Sequence, residues 1–368
     1  MSIQTTKTDP ASSSSLLAYR LLILLLLVLI NSACSKHEPL LIDKPLDQIS
    51  IAINHKTPAL MDKFKVTGLS VGIIRDGELS IEESLGFSRT TPTKKLDENT
   101  VFRAASLGKP IFAYIVVTLA QQGLLNLDTP LFEYINVRMV DNDDRSLLVT
   151  ARMVLSHTTG LPNLNVESKE YKFHFTPGSE FLYSGHGYLY LQKVIELLSG
   201  KSLQQLASQL VFKPLSMTSS SYVWQTNYLN TIASSYDANG KRYPTGILPE
   251  SGYSAWSLFT TMQDYSRFVS HILKTSEESN SVASVLLTPE INVADGVAWG
   301  LGWGLQETPP YTSFWHWGSL AGFRHFVVGY PKEKIAVIVM SNNDQAFKIA
   351  DKVMSLAIGG DYPAYDWF

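Results

Sequence analysis

The stretch from Ser106 to Gln122, SLGKPIFAYIVVTLAQQ, decides how the rest of the chain is read. Ile111, Phe112, Tyr114, Ile115, Val116, Val117 and Leu119 cover nearly the whole circumference of a helix, which predicts a helix buried on all sides. Gly123 stands where such a helix ends. At its mouth Ser106 and Lys109 form an S-x-x-K, and Pro110 suits a first helical turn. Residues three apart share a helix face, so the Lys109 amine can lie over the Ser106 hydroxyl. A serine hydroxyl is a weak nucleophile that needs a neighbouring base. A lysine at a helix N-terminus, among apolar or cationic groups, loses its proton readily enough to be one. The four-residue pattern alone is common by chance. Its plainer alternative makes Ser106 a helix cap and Lys109 a solvated first-turn residue.

Upstream, Leu46, Ile49 and Ile53 recur at helical spacing, with Pro58 expected to break or kink that helix before Leu60 and Phe64. Leu69 to Arg75 and Glu78 to Leu85 flank Asp76-Gly77, a hairpin signal. Downstream, residues 124 to 290 read as helices and loops punctuated by Gly and Pro. From Val297 the pattern changes. Trp299–Leu305, Tyr311–Trp317, Phe323–Tyr330 and Ile335–Met340 are short aromatic and β-branched runs, read as consecutive antiparallel strands closed by a helix near Phe347–Leu356. Strands at both ends with helices between predict an α+β fold, one antiparallel sheet formed from both termini with a mostly helical lobe inserted.

The 368 residues are 45% apolar and only 17% charged, with a net charge of −3. This favours a large core, excludes a disordered chain, and argues against a nucleic-acid partner, which needs a basic face. The single cysteine, Cys34, excludes an internal disulfide. It follows Leu21–Ile30 (LLILLLLVLI), too short to span a bilayer of ~30 Å and suited to the core of a secretory signal behind Lys7 and Arg20. Asn31-Ser32-Ala33-Cys34 resembles a bacterial lipoprotein cleavage box, with Asn31 where an apolar residue is usual; an uncleaved signal anchor is the alternative. The expected organisation is a signal peptide over 1–33, a tether over 34–45 and one domain over 46–368. Within that domain a sheet lobe takes 46–103 and 292–368, and a helical lobe takes 104–291. Ser35 after the cysteine resembles lipoproteins sent to the outer membrane, so the expected location is the cell envelope, facing the periplasm, with the membrane reached through an N-terminal lipid.

Two further segments join the S-x-x-K. Phe181-Leu182-Tyr183-Ser184-Gly185-His186-Gly187-Tyr188 places a tyrosine on a turn before a helix, and Trp315-His316-Trp317-Gly318-Ser319 lies on a strand. In this order and spacing the three resemble the serine β-lactamase and penicillin-binding-protein superfamily. Within it, the branch related to class C β-lactamases is the nearest in pattern, and this branch also holds esterases and D-amino-acid peptidases. Leu155–Pro162 (LSHTTGLP) and Phe212–Met217 (FKPLSM) resemble further segments of that branch, so the likeness runs from about Leu46 to the C-terminus.

The resemblance implies a three-layer α/β/α sandwich and a role for each matched residue. Ser106 would be the nucleophile, and Lys109 and Tyr183 would share the work of general base. His316, standing where the family's third motif has lysine, would depress and orient Tyr183 through a positive or hydrogen-bonding edge. The backbone N–H groups of Ser106 and Ser319 would form the oxyanion hole. Gly318 would let substrate approach the strand, and Trp317 would line its site. Gly185 departs from the family's Y-x-N, where asparagine contacts a β-lactam's side-chain amide. Esters, amides or D-amino-acid peptides, including peptidoglycan-derived ones, are therefore expected as substrates before β-lactams. A penicillin-binding DD-carboxypeptidase, a true β-lactamase and a non-catalytic cell-wall-peptide binder are the alternatives. The histidines show no metal-ligand spacing, and no metal or organic cofactor is expected.

Other motifs carry less. Gly68-Leu69-Ser70-Val71-Gly72 matches G-x-S-x-G, but a strand rather than a helix is expected after Ser70. Asp141–Asp144 lacks the glycine and distal glutamate of a calcium loop. His157 is expected to stabilise a turn. The tryptophans at 299, 303, 315 and 317 are divided between sheet packing and a wall beside the acyl site. Ser254–Leu273 is read as a helix over the rim, without chemistry.

Overall fold

The computed structural model describes Ser2, residues 38–164 and residues 168–367. Cys34 and the apolar run Leu21–Ile30 lie outside the described residues. Pro39–Phe368 forms one unit.

Helix α1 (Leu46–Phe64) opens the domain and continues through Pro58. The residue is exposed, so the hydrogen bond its missing N–H forfeits lies on the water side, where the freed carbonyl is hydrated. β1 (Gly68–Arg75) and β2 (Glu78–Thr90) form the expected hairpin; Asp76 (φ 54°) and Gly77 (φ 72°) both take the left-handed conformation that a two-residue turn of this twist requires. β3 (Thr93–Lys95) and β4 (Phe102–Ala105) follow, then α2 (Gly108–Gln121), buried on nearly every side as its sequence requires. Next come α3 (Gly185–Ser199), β5 (Leu258–Thr260) and α4 (Met262–Thr275). β5 is a strand inside a stretch read as helix, and the helix expected from Ser254 begins only at Met262.

The C-terminal strands are β6 (Ile291–Ala294), β7 (Val297–Trp299), β8 (Gly304–Thr308), β9 (Tyr311–Leu320), β10 (Phe323–Tyr330) and β11 (Ile335–Ser341), closed by α5 (Phe347–Ile358). The run Trp299–Leu305, expected as one strand, is instead interrupted: Trp299 ends β7, Gly304 and Leu305 open β8, and residues 300–303 turn between them. Gly302 (φ 81°) makes it possible and lies so close to Ala113 on α2 that a side chain would collide with it.

Nine strands form one sheet in the order β3-β2-β1-β11-β10-β9-β8-β7-β6. The chain's two ends meet at its centre, where β1 pairs antiparallel with β11 from Leu69↔Ser341 to Ile74↔Ala336. β11 is buried throughout, and its alternate residues serve opposite faces. Ile335, Val337 and Val339 join Ile49 and Ile53 of α1 and Ile349 and Val353 of α5. Ala336, Ile338 and Met340 join the core built on α2 and α4, with Phe112, Val116, Phe268 and Ile272. A central sheet covered on both faces is the three-layer α/β/α sandwich.

Candidate active site

β4 carries the chain to the site. It pairs with β5 and lies across β9 and β10, held by a hydrogen bond between the His325 ring and the Arg103 carbonyl (2.9 Å). At Ala105 the backbone enters the left-handed region (φ 51°), a strained conformation for alanine, and the turn it makes presents Ser106 just before α2. Ser106 is half-buried and Lys109, one turn on, is 1% exposed.

The Lys109 amine lies 3.0 Å from Ser106 Oγ and donates to the Ala255 carbonyl at 2.7 Å. Ser106 Oγ is also 3.4 Å from that carbonyl. The amine sits 4.8 Å from the Tyr183 ring centre and 5.6 Å from that of Tyr188. Aromatic faces favour the ammonium, and burial favours the amine. Burial prevails, bringing the Lys109 pKa down from 10.5 to about 7.

Tyr183 stands directly before Ser184, whose hydroxyl caps α3 by accepting from Gly187 N–H at 3.0 Å. His157 holds this turn as its motif suggested. Its carbonyl accepts from Leu182 N–H (2.8 Å), its Nδ1 accepts from Ser184 N–H (3.0 Å), and its ring lies against Tyr183 at 4.2 Å. The Tyr183 hydroxyl is buried beside Ser106 without completing a hydrogen bond, although that hydroxyl's nearness partly offsets the effect of burial. The net effect is a phenol pushed well up from its usual pKa, where a depressed one was expected. The reason is burial, which disfavours the phenolate by more than the Ser106 hydroxyl helps it.

His316 on β9 is fully buried, its ring centre 6.2 Å from that of Tyr183. Burial first, then the Lys109 charge, lowers its pKa to about 3, so of the two edges expected of it the positive one is withdrawn. Its Nδ1 lies 2.7 Å from the Trp317 carbonyl. A carbonyl can only accept, so in the neutral ring Nδ1 carries the hydrogen and Nε2 a lone pair, and Nε2 has no partner among the described residues.

Pairing between β8 and β9 stops at Gly304↔Trp315, so β9 beyond it presents an edge not taken by β8, and Ser319 is exposed on that stretch. Gly318 faces β4. A Cβ there would stand 2.4 Å from the Ala104 carbonyl and 3.3 Å from Leu107, so its space is taken by the chain's own approach to Ser106, where the sequence reading leaves it for substrate. Trp317 is half-buried over Tyr183 (4.7 Å between ring centres), while Trp299, Trp303 and Trp315 are fully buried, which divides the tryptophans three to packing and one to the rim.

Gly185 is also filled. A side chain there would meet Leu164 at 2.5 Å and the Asn163 side-chain oxygen at 2.8 Å, and that oxygen accepts Gly185 N–H at 3.1 Å. Three participants escaped the sequence reading: the Ala255 carbonyl, in a segment given no chemistry, and Asn163 and Leu164 over Gly185. Asn163 and Leu164 directly follow the Leu155–Pro162 motif, which is the signal that could have found them.

A half-buried serine hydroxyl against a buried amine, with a tyrosine beside them and a two-terminus antiparallel sheet behind, is the arrangement of the β-lactamase and penicillin-binding class of serine-hydrolase folds. The family model described as Beta-lactamase matches residues 53–355, and the chain belongs to that family. It is 23% identical over 321 residues to Protein flp of Staphylococcus aureus (strain NCTC 8325 / PS 47), covering 80% of this chain and 62% of that one, so it spans less than two thirds of the length of this curated relative. Among solved structures it resembles a class C beta-lactamase, with a TM-score of 0.73 at 20% identity over 85% of this chain and 98% of the other. It also resembles the octameric penicillin-binding protein homologue from Pyrococcus abyssi, with a TM-score of 0.71 at 21% identity over 80% and 74%. These two likenesses concern the fold.

Proposed function

We propose that the chain is a serine hydrolase that acts through an acyl-enzyme at Ser106 on carboxylic esters, amides or D-amino-acid peptides. The observation that carries this reading is the Lys109 amine, dry, near neutrality and 3.0 Å from Ser106 Oγ. With one amine hydrogen held by the Ala255 carbonyl, the lone pair of neutral Lys109 accepts the Ser106 proton as Oγ attacks the substrate carbonyl. The resulting oxyanion is received by the backbone N–H groups of Ser106 and Ser319; losing one such donor costs about 3 kcal/mol of barrier. Tyr183 remains a phenol at neutral pH, so it serves as a proton relay to the leaving group and not as a phenolate base. His316 Nε2 offers an acceptor on that relay, and Trp317 shields it. The alcohol or amine departs with the proton taken from Ser106 and leaves the acyl-enzyme; the same lysine then activates the deacylating water, and the acid leaves as Ser106 regains its hydrogen.

Ser106→Ala is expected to abolish hydrolysis of a short-chain p-nitrophenyl ester by the full chain in mild detergent, and Tyr183→Phe to lower kcat by about 10²-fold or more. Hydrolysis by purified Ser106→Ala protein at the wild-type rate would sink the assignment. The silent binder would show binding of a peptidoglycan fragment with neither turnover nor a Ser106 adduct. Gly185 with its space filled by Leu164 weighs against a true β-lactamase. Restoring the asparagine by Gly185→Asn is expected to destabilise the protein without conferring penicillin hydrolysis. We also propose that Cys34, outside the described residues, carries a lipid that tethers the chain in the cell envelope; labelling by radioactive palmitate in a bacterial host should vanish in Cys34→Ser.

A further inference from the structure

A mostly apolar recess of about 330 Å³ is lined by residues that include Arg103, Tyr243, Ile247, Trp256, Leu320 and Ala321. Three of these lie on the segments that build the site. Arg103 precedes Ser106 by three positions, Trp256 follows Ala255, and Leu320 follows Ser319. The rim of the recess is apolar where water reaches it: Ile247 is 75% exposed, and Trp256 is stacked by Tyr253 at 4.9 Å and 14°.

One charge interrupts this surface. The Arg103 guanidinium donates to the Ile247 carbonyl at 3.0 Å and lies 5.9 Å from the Phe259 ring centre. Among the described residues it forms no salt bridge, unlike Arg138, Arg145, Arg152, Arg267 and Arg324 but like Arg75, Arg89 and Arg242, and it is the one charged side chain lining this recess. Burial alone weighs on it, with no anion to offset the cost. A half-buried guanidinium with donors to spare and no carboxylate partner among the described residues is complementary to a carboxylate, which its planar fork binds in two-point fashion.

We propose that this recess receives the acyl side of the substrate and selects an apolar chain that ends in a carboxylate, with Arg103 as its anchor. The inference rests on the serine-hydrolase reading and narrows it to esters or amides of half-ionised dicarboxylic acids and of peptides with an acidic side chain on the acyl side. The stem covers Ile247, Trp256 and Leu320, and the carboxylate neutralises Arg103.

The test compares kcat/KM of the full chain for the p-nitrophenyl monoester of adipic acid and for p-nitrophenyl hexanoate, in wild type, Arg103→Gln and Arg103→Lys. A preference of tenfold or more for the adipic half-ester in wild type, largely lost in Arg103→Gln and partly kept in Arg103→Lys, is expected. Serine-dependent turnover without that preference overturns the subsite, and so does a preference that Arg103→Gln leaves intact. Because the wild-type comparison needs no variant, a folding failure at position 103 does not rescue the proposal. Calorimetric titration of Ser106→Ala with the adipic half-ester separates the two levels of the argument. Binding without wild-type turnover sinks the hydrolase reading and keeps the subsite, while absence of binding overturns the subsite alone.

Discussion

Lys109 gives the chemistry its pH dependence. Below about pH 7 the amine is protonated and cannot take the Ser106 proton; above it the lone pair is free. The expected profile of kcat/KM against pH is thus a rising limb with its midpoint near 7, about three units below that of an ordinary lysine. His316, neutral throughout this range, adds no limb of its own. His316→Gln should therefore lower the rate and leave the midpoint in place; a limb that disappears with His316 would make the histidine the base. Stability carries the same sign. Between about pH 7 and the unfolded lysine's ~10.4 the unfolded chain holds one proton more than the folded one, so stability rises with pH across that window. Lys109→Met, which removes the amine at nearly constant volume, should raise the melting temperature at pH 6 while abolishing turnover. At this scale the sequence was half legible. Ser106 and Lys109 declare themselves by a spacing of three, whereas the carbonyl that completes their triangle belongs to Ala255, 146 residues from Lys109, and a carbonyl has no letter of its own.

Elements bring these residues together through close approach. β4 can cross β9 because Gly318 has no side chain, so Gly318→Ala must push against the Ala104 carbonyl and displace the turn that carries Ser106. The expected outcome is loss of most activity with a folded protein of lower melting temperature; an active and unshifted variant would show that the crossing has slack. Ala105 is the opposite case, an alanine held at φ 51°. Ala105→Gly removes that strain, and unfolding by denaturant should show a protein of equal or greater stability, by up to ~1 kcal/mol. The elements that the sequence disclosed are those with a strong internal period or a strict turn, namely α2, the β1–β2 hairpin, β10 and β11. Those it concealed are settled by partners. Pro58 is tolerated because it faces water, β5 exists because β4 needs a neighbour, and the glycines at 300 and 302 read as strand until α2 is seen to press on Gly302.

At the scale of the molecule, alternation along β11 sorts two cores, and the pairing of β1 with β11 welds segments from opposite ends of the domain into one sheet. The isolated bridge between Leu40 and Gly359 closes the same circuit. A single cooperative transition is expected for residues 39–368, with tryptophan fluorescence from the site and circular dichroism of the helices melting together; separate midpoints would mean that the two faces of the sheet unfold independently. The architecture was legible because strand-like and helix-like patterns occupy separate stretches of the chain. The order of the strands was not, since period-two patterns say which face a residue takes and not which strand lies beside it.

The union of β1 with β11 also sets a timetable. A ribosome working at about 10 residues per second finishes Leu69 roughly half a minute before Ser341, and through that interval the hairpin that begins with β1 has an open edge and no companion. The nascent domain therefore cannot complete its central sheet until the stretch around Ile335–Ser341 has been made, and the arrival of that strand is what lets the earlier ones settle.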